Sequence, residues 1–90
     1  PIIEPLKLGA YNNLGGLLQA IGDVQNAKKA YEVTIKIDPN FSTGYYNLGM
    51  LLKGMGNLPE AVKYYQKAIS INPEYAEAYQ NLGVVFFKLG

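Results

Sequence analysis

The sequence predicts an all-α protein, an α-solenoid in which antiparallel helix pairs follow one another along the chain. The first observation is a tripeptide, Asn-Leu-Gly, that recurs with a spacing of 34 residues and begins at Asn13, Asn47 and Asn81. The second is an Ile-Xaa-Pro tripeptide with the same spacing, which begins at Ile3, Ile37 and Ile71. The third is apolar spacing of three and four residues, which places side chains on one face of a helix. Together these patterns indicate stacked helical repeats.

The repeat period divides the chain into four segments. Residues 8–41 and 42–75 align without a gap and form two full repeats. Residues 76–90 match only the first half of a repeat, and we expect residues 1–7 to be the end of a preceding one. Because the array is incomplete at both ends and begins at Pro1, we expect a single domain cut from a longer array.

Five helices are predicted, at about 8–21, 24–37, 42–55, 58–71 and 76–89. In the first helix of the second repeat the apolar residues are spaced by three, four and three, at Tyr45, Leu48, Leu52 and Met55. In its second helix they are Ala61, Tyr65, Ala68 and Ile69. Each set lies on one helical face, so the two helices can pack together.

Glycine, asparagine and proline mark the predicted helix ends. Gly56 can end a helix in a left-handed turn, and Asn57 can cap the next helix with Glu60 at capping-box spacing. Pro39 and Pro73 end the second helix of each repeat, because a proline ring cannot continue a helix.

Glycines inside the first helices need a compensating contact, because each costs about 1 kcal/mol of helix propensity relative to Ala. They are Gly15, Gly49 and Gly83. We expect each glycine to lie against a small Ala of the second helix, Ala27 or Ala61, with Tyr31 or Tyr65 beside it.

The full pattern is an aromatic residue, Leu-Gly, a large residue, Ala, a second aromatic residue and Pro, here Tyr45, Leu48, Gly49, Leu52, Ala61, Tyr65 and Pro73. It resembles the tetratricopeptide repeat, with Tyr in place of the frequent Trp. The resemblance covers nearly the whole chain. It implies a right-handed superhelix with a concave groove lined by the first helices, and it implies a protein-interaction role.

Composition excludes several functions. The chain has no His and no Cys, and its 8 basic residues, all Lys, nearly balance 7 acidic ones. Without a His to activate a hydroxyl, and without a metal-like group of acids, we expect no enzyme activity and no cofactor or metal. Without a basic stripe or Arg we expect no nucleic-acid partner. The chain is too interrupted by Lys, Glu and Gly to span a membrane, and the compartment stays open.

The three repeated asparagines are the strongest candidates for a binding site. An Asn amide carries a donor and an acceptor and can match an extended peptide backbone. The row Asn13, Asn47 and Asn81 resembles the asparagine ladder of O-GlcNAc transferases, which implies an extended protein or peptide ligand. The predicted neighbours in the groove are Asn12, Tyr46, Gln80, Met50, Lys53 and Val84. The alternative is that these asparagines bond within the array or to water.

A ligand with a terminal carboxylate is disfavoured, because the Lys/Arg group by which some chaperone-binding members of the family clamp it is missing from the groove rows. The competing function is a structural spacer or self-assembling segment without a ligand of its own. Tyr79, Leu82 and Phe86 face the place of a second helix that the last half-repeat lacks. Because exposed apolar patches usually mark interfaces, we expect a homo-oligomer formed through these three residues.

Overall fold

The computed structural model describes residues 3–90, with side chains from Lys7 onward. The helices of this region are α1 (Ile3–Ala20), α2 (Val24–Ile37), α3 (Ser42–Gly54), α4 (Leu58–Ile71) and α5 (Ala76–Leu89). No strand occurs within residues 3–90, so the all-α prediction is confirmed. Four of the five helices both begin and end within one residue of the predicted bounds.

The first helix differs from the prediction at its N-terminal end. It begins at Ile3 rather than near residue 8, and it continues through Pro5. Pro5 is the third residue of α1, where the backbone N–H would have no partner within the helix, so the missing donor costs nothing there. The assignment of residues 1–7 to a preceding repeat stays a prediction, and residues 1 and 2 lie outside the described part of the chain.

The turn between the helices of each repeat is a Schellman motif. Gly22 and Gly56 have φ of +86° and +84°, a left-handed conformation that glycine adopts without steric cost. The next residue in each turn then donates its backbone N–H across six residues, from Asp23 to Leu18 at 2.8 Å and from Asn57 to Leu52 at 2.9 Å. The two helices of a repeat are therefore antiparallel.

The two second helices are capped differently. Asp23 accepts a hydrogen bond from the backbone N–H of Asn26 at 3.4 Å, as an N-cap should. Asn57 is also at the N-cap position, but its side chain makes no capping bond. Glu60 lies 3.6 Å from Lys63 in an exposed ion pair. The predicted cap residue is thus correct, while the expected side-chain cap is wrong.

The prolines end the second helices as predicted. The residue before each proline is extended, with ψ of 98° at Asp38 and 92° at Asn72, because the proline ring disfavours helical geometry in the residue before it. The chain then turns into the first helix of the next repeat. α2 packs against α3 and α4 against α5, so successive repeats stack.

Gly15 and Gly49 lie against a tyrosine ring rather than against an alanine. A Cβ built on Gly15 would be 2.5 Å from Cε1 of Tyr31, and one built on Gly49 would be 2.8 Å from Cε1 of Tyr65. The expected contact with Ala27 and Ala61 is therefore wrong as the main one. At Gly83 nothing lies within 4 Å, because no second helix packs there.

Two apolar clusters form the core of the stack. One joins α2 and α3 through Ala27, Tyr31, Leu48 and Leu51, and the other joins α3, α4 and α5 through Leu52, Ala61, Tyr65, Ala78 and Val85. Met55, which was predicted on the packed face, is instead 39% exposed because it lies beyond the end of α3. The result is an elongated slab of 44 × 30 × 16 Å.

Candidate functional site

The predicted groove residues lie on the first helices of the repeats. The asparagine position is exposed in α1 and half-buried in α3 and α5. α3 contacts α5 directly. We call the predicted groove residues of these first helices the groove face, and they are Asn12, Asn13, Tyr46, Asn47, Met50, Lys53, Gln80, Asn81 and Val84.

A line of side-chain hydrogen bonds joins successive first helices. Nδ2 of Asn47 donates to Oδ1 of Asn12 over 2.9 Å, and Nδ2 of Asn81 donates to the Tyr46 hydroxyl over 3.0 Å. Both bonds link residues that are 35 apart, one more than the repeat. The alternative in which the asparagines bond within the array thus holds for Asn47 and Asn81, while Asn13 is exposed.

Lys53 fixes the orientation of the Asn81 amide. Its Nζ lies 2.6 Å from Oδ1 of Asn81. An ammonium group can only donate, so the amide oxygen must face Lys53 and the amide nitrogen must face Tyr46. The nitrogen also donates to the backbone carbonyl of Glu77 at 2.9 Å. Both ends of the Asn81 amide are therefore engaged.

The two buried tyrosines at equivalent places differ in how their hydroxyls are bonded. The Tyr31 hydroxyl donates to Oε1 of Gln19 at 3.1 Å. The residue equivalent to Gln19 in the next repeat is Lys53, which has no acceptor atom. The Tyr65 hydroxyl is buried without a hydrogen-bond partner, and burial raises the pKa of Tyr65 well above its usual range.

Tyr46 joins the polar line to an aromatic cluster that the sequence analysis did not identify. Its ring stacks on Tyr75 with 4.9 Å between the centroids and lies 5.8 Å from the ring of Tyr65. Burial, and then the neighbouring Tyr75 and Glu77, raise the pKa of Tyr46, while the hydrogen bond from Asn81 lowers it. The tyrosine therefore remains a neutral hydroxyl at neutral pH. The recurring place of Phe41 and Tyr75 just before a first helix was the sequence signal that could have located this ring.

The remaining predicted groove residues, Met50, Gln80 and Val84, differ in how far their side chains are buried. Met50 is half-buried and packs against the core cluster around Leu52. Gln80 is exposed, and Val84 is 45% exposed. Met50 is therefore in part a core residue, and the other two present their side chains to solvent.

The residues predicted for self-association are only partly uncovered. Tyr79 and Phe86 are each 49% exposed, whereas Leu52, the equivalent of Phe86, is 2% exposed. Leu82 is half-buried and packs against the core. Two of the three side chains thus form an open apolar surface on α5.

A second open site lies between α1 and α2, away from the predicted groove residues. It is a cleft of about 400 Å³ lined by Tyr11, Leu14, Leu18, Asn26, Lys29, Ala30 and Val33. The next repeat has Tyr64 at the place of Ala30, and its ring lies 6.3 Å from that of Tyr45. The small Ala30 leaves this space open in the first repeat.

Within residues 3–90, no helix combines the length and the apolar character needed to span a bilayer. In the same range, His, Cys, Asp and Glu side chains nowhere gather in a group of three or more that could hold a metal ion.

Models of the tetratricopeptide repeat match three stretches of the chain, residues 8–41, 30–63 and 55–90. No curated protein matches it.

Among solved structures the chain is similar to two crystal structures of MamA. The first has a TM-score of 0.89 and 32% identity, and the match covers 92% of this chain and 48% of that one. The second has a TM-score of 0.84 and 33% identity, and the match covers 88% of this chain and 43% of that one. It is also similar to the TPR2B domain of yeast Sti1 in a complex with pHsp70, with a TM-score of 0.89 and 28% identity over 93% of this chain and 67% of that one. The chain spans just under half the length of the MamA structures.

Proposed function

Because the chain belongs to the tetratricopeptide repeat family, we propose that it is a protein-interaction scaffold whose groove face binds an extended peptide segment. The proposal depends chiefly on the line of side-chain amides and hydroxyls that runs along this face. The similar TPR2B domain of Sti1 is described in a complex with pHsp70, which supports a protein or peptide partner.

The groove face offers both kinds of hydrogen-bonding group that a peptide backbone needs. Asn47 uses its Nδ2 toward Asn12, so its Oδ1 remains an acceptor. Asn12 accepts through Oδ1, so its Nδ2 remains a donor. Asn13 is exposed and presents a whole amide. Such groups can match backbone N–H and C=O without reading the side chains of the ligand.

The test uses a peptide without distinctive side chains, because backbone recognition predicts that such a peptide binds. A capped dodecapeptide of alternating Ser and Ala is titrated to millimolar concentration into ¹⁵N-labelled protein. We expect amide shifts along α1, α3 and α5, which are lost in the Asn13→Ala/Asn47→Ala/Asn81→Ala variant.

The matched control removes two exposed amides from the second helices, in the variant Gln25→Ala/Gln66→Ala. It should bind like the parent protein. If the triple asparagine variant binds equally well, the backbone-binding role of the row is wrong. If no peptide shifts appear on these helices, the peptide-binding proposal is wrong.

We also propose self-association through the open surface of α5, because Tyr79 and Phe86 are half exposed where the equivalent residues of α3 are more covered. Leu82 would form the floor of this contact. Burying a large apolar side chain contributes about 1.5–3 kcal/mol. Light scattering after gel filtration should therefore find a mass above that of the monomer, and Phe86→Glu should return it to the monomer. A monomer at high micromolar concentration, unchanged by the substitution, contradicts this proposal.

A further inference from the structure

We infer that the groove face carries a subsite for the side-chain carboxylate of an internal Asp or Glu of the bound peptide, formed by Lys53 and the Tyr46 hydroxyl, which Asn81 holds together. This inference depends on the proposed peptide-binding function and adds to it the chemistry of one ligand residue. It comes from a count of the donors and acceptors at this place.

Both hydrogens of the Asn81 amide are used, and so is one lone pair of its oxygen. Its oxygen accepts from Lys53, and its nitrogen donates to the Tyr46 hydroxyl and to the carbonyl of Glu77. The amide therefore acts as a spacer that fixes the positions of Nζ of Lys53 and the hydroxyl of Tyr46. Both atoms are hydrogen-bonded to the same amide, so they lie near each other on the groove face.

The hydrogens that stay free around this amide belong to Lys53 and Tyr46. An ammonium has three hydrogens, and Lys53 uses one of them on Asn81. The Tyr46 oxygen accepts from Asn81, so its own hydrogen is free to be donated. Nearby, the buried Tyr65 hydroxyl also lacks an acceptor. A cluster of donors that includes a cation calls for an anionic acceptor, and a carboxylate matches it with two oxygens.

The charge of Lys53 has no partner among the described side chains. The ion pair found within residues 7–90 joins Lys63 to Glu60 on another helix, and no carboxylate of these residues lies within 4.0 Å of Lys53. Lys53 is half-buried, so solvent screens its charge less than that of a fully exposed lysine. The exposed Glu77 is close enough to Tyr46 to help raise the pKa of that tyrosine.

The repeat itself supplies a comparison. At the equivalent place the first repeat has Gln19, whose oxygen takes the hydroxyl hydrogen of Tyr31. There the buried tyrosine is satisfied within the protein and no cation is present. In the second repeat Lys replaces this Gln, which removes the acceptor for the tyrosine hydroxyl and adds a positive charge. The place thus has hydrogen-bond donors without an acceptor for them.

The test compares two capped nonapeptides of alternating Ser and Ala that differ only in a central Glu or Gln. Chemical-shift titration of the parent protein should give tighter binding of the Glu peptide by about fivefold, as for a partly desolvated ion pair. The preference should shrink as salt is raised from 20 to 500 mM. Shifts of Lys53 Nζ and of the Tyr46 ring identify the site.

Lys53→Gln is the decisive variant, because it reproduces the first repeat and gives Tyr65 an acceptor, so the fold is retained. It should bind the Glu peptide and the Gln peptide with equal affinity. Lys36→Gln, an exposed lysine of α2, is the control and should keep the preference for Glu.

The outcomes separate the two proposals. If the Glu and Gln peptides bind the parent protein equally, or if Lys53→Gln keeps the preference, the carboxylate subsite is wrong while peptide binding stands. If neither peptide shifts any residue of the groove face, the proposed function is wrong and this inference fails with it.

Discussion

The contact between Gly49 and Tyr65 allows a sharp test of the packing, because the third repeat contains the same glycine without the tyrosine. In Gly49→Ala the new methyl carbon would lie 2.8, 2.9 and 3.1 Å from Cε1, Cδ1 and Cζ of Tyr65. The ring is 0% exposed and cannot swing into solvent. In Gly83→Ala nothing lies within 4 Å of the methyl group, and the position is exposed.

The two substitutions share the same gain in helix propensity, which is about 1 kcal/mol for Ala over Gly. Only Gly49→Ala also carries the cost of overpacking, about 1–3 kcal/mol. Gly83→Ala should therefore stabilise the protein by about 1 kcal/mol, and Gly49→Ala should leave it unchanged or destabilise it by up to about 2 kcal/mol. For a domain of this size each kcal/mol corresponds to about 4–8 °C in Tm.

The assay is thermal and urea unfolding of the parent and both variants, followed by far-UV circular dichroism. The expected order of Tm is Gly83→Ala highest, then the parent, with Gly49→Ala equal to the parent or below it. Equal increases in Tm for both variants would refute the close glycine–tyrosine contact.

Three more predictions concern stability. Ala61→Leu should lower the free energy of unfolding by about 1–3 kcal/mol, since Ala61 is 0% exposed. Lys63→Ala should change it by less than about 0.5 kcal/mol, because Lys63 is exposed. Equal shifts in the urea midpoint would contradict the helix register. Tyr31→Phe should lower the free energy of unfolding by about 0.5–1.5 kcal/mol, because it removes the hydrogen bond to Gln19. Tyr65→Phe should leave stability unchanged or raise it, because the Tyr65 hydroxyl has no partner. A loss of stability in both variants would show that the Tyr65 hydroxyl is bonded. Stability should fall as pH rises above about 10, where the unfolded chain releases tyrosine protons that the folded protein, with raised pKa values, retains. Urea unfolding at pH 9 and 11 measures this fall, and Tyr65→Phe should reduce it; an equal fall in that variant would contradict the link to Tyr65.

The helix bounds could be predicted from the sequence because the signals that set them are local. Glycine in a left-handed turn and proline after a second helix act within a few residues, and the bounds of α2 and α4 match the prediction. The predicted start of α1 was wrong because a proline is compatible with two positions relative to a helix. It ends a helix that precedes it, and it is also tolerated in the first turn of a helix that contains it.

The helices that carry the candidate site could be predicted from the sequence, whereas the hydrogen bonds of its side chains could not. The repeat places Asn47 and Asn81 on the first helices, and they lie in α3 and α5. Their partners Asn12 and Tyr46 come from the preceding repeat, so pairing depends on how far one helix is shifted along the next. The sequence does not record that shift. The sequence shows that Lys53 replaces the Gln19 of the first repeat, but only the structure shows its contact with Asn81.

The bonds that span 35 residues leave some groups of the groove face free and others engaged. Nδ2 of Asn47 keeps one hydrogen that a ligand carbonyl can accept, whereas both hydrogens of Asn81 Nδ2 are used, on Tyr46 and on the Glu77 carbonyl, so a ligand there must displace one of them. Swapping one hydrogen bond for another yields little net free energy at a single step. Affinity would then accumulate with the number of repeats a ligand covers. A ligand that displaces the bond to Tyr46 would also remove one of the side-chain links between α3 and α5.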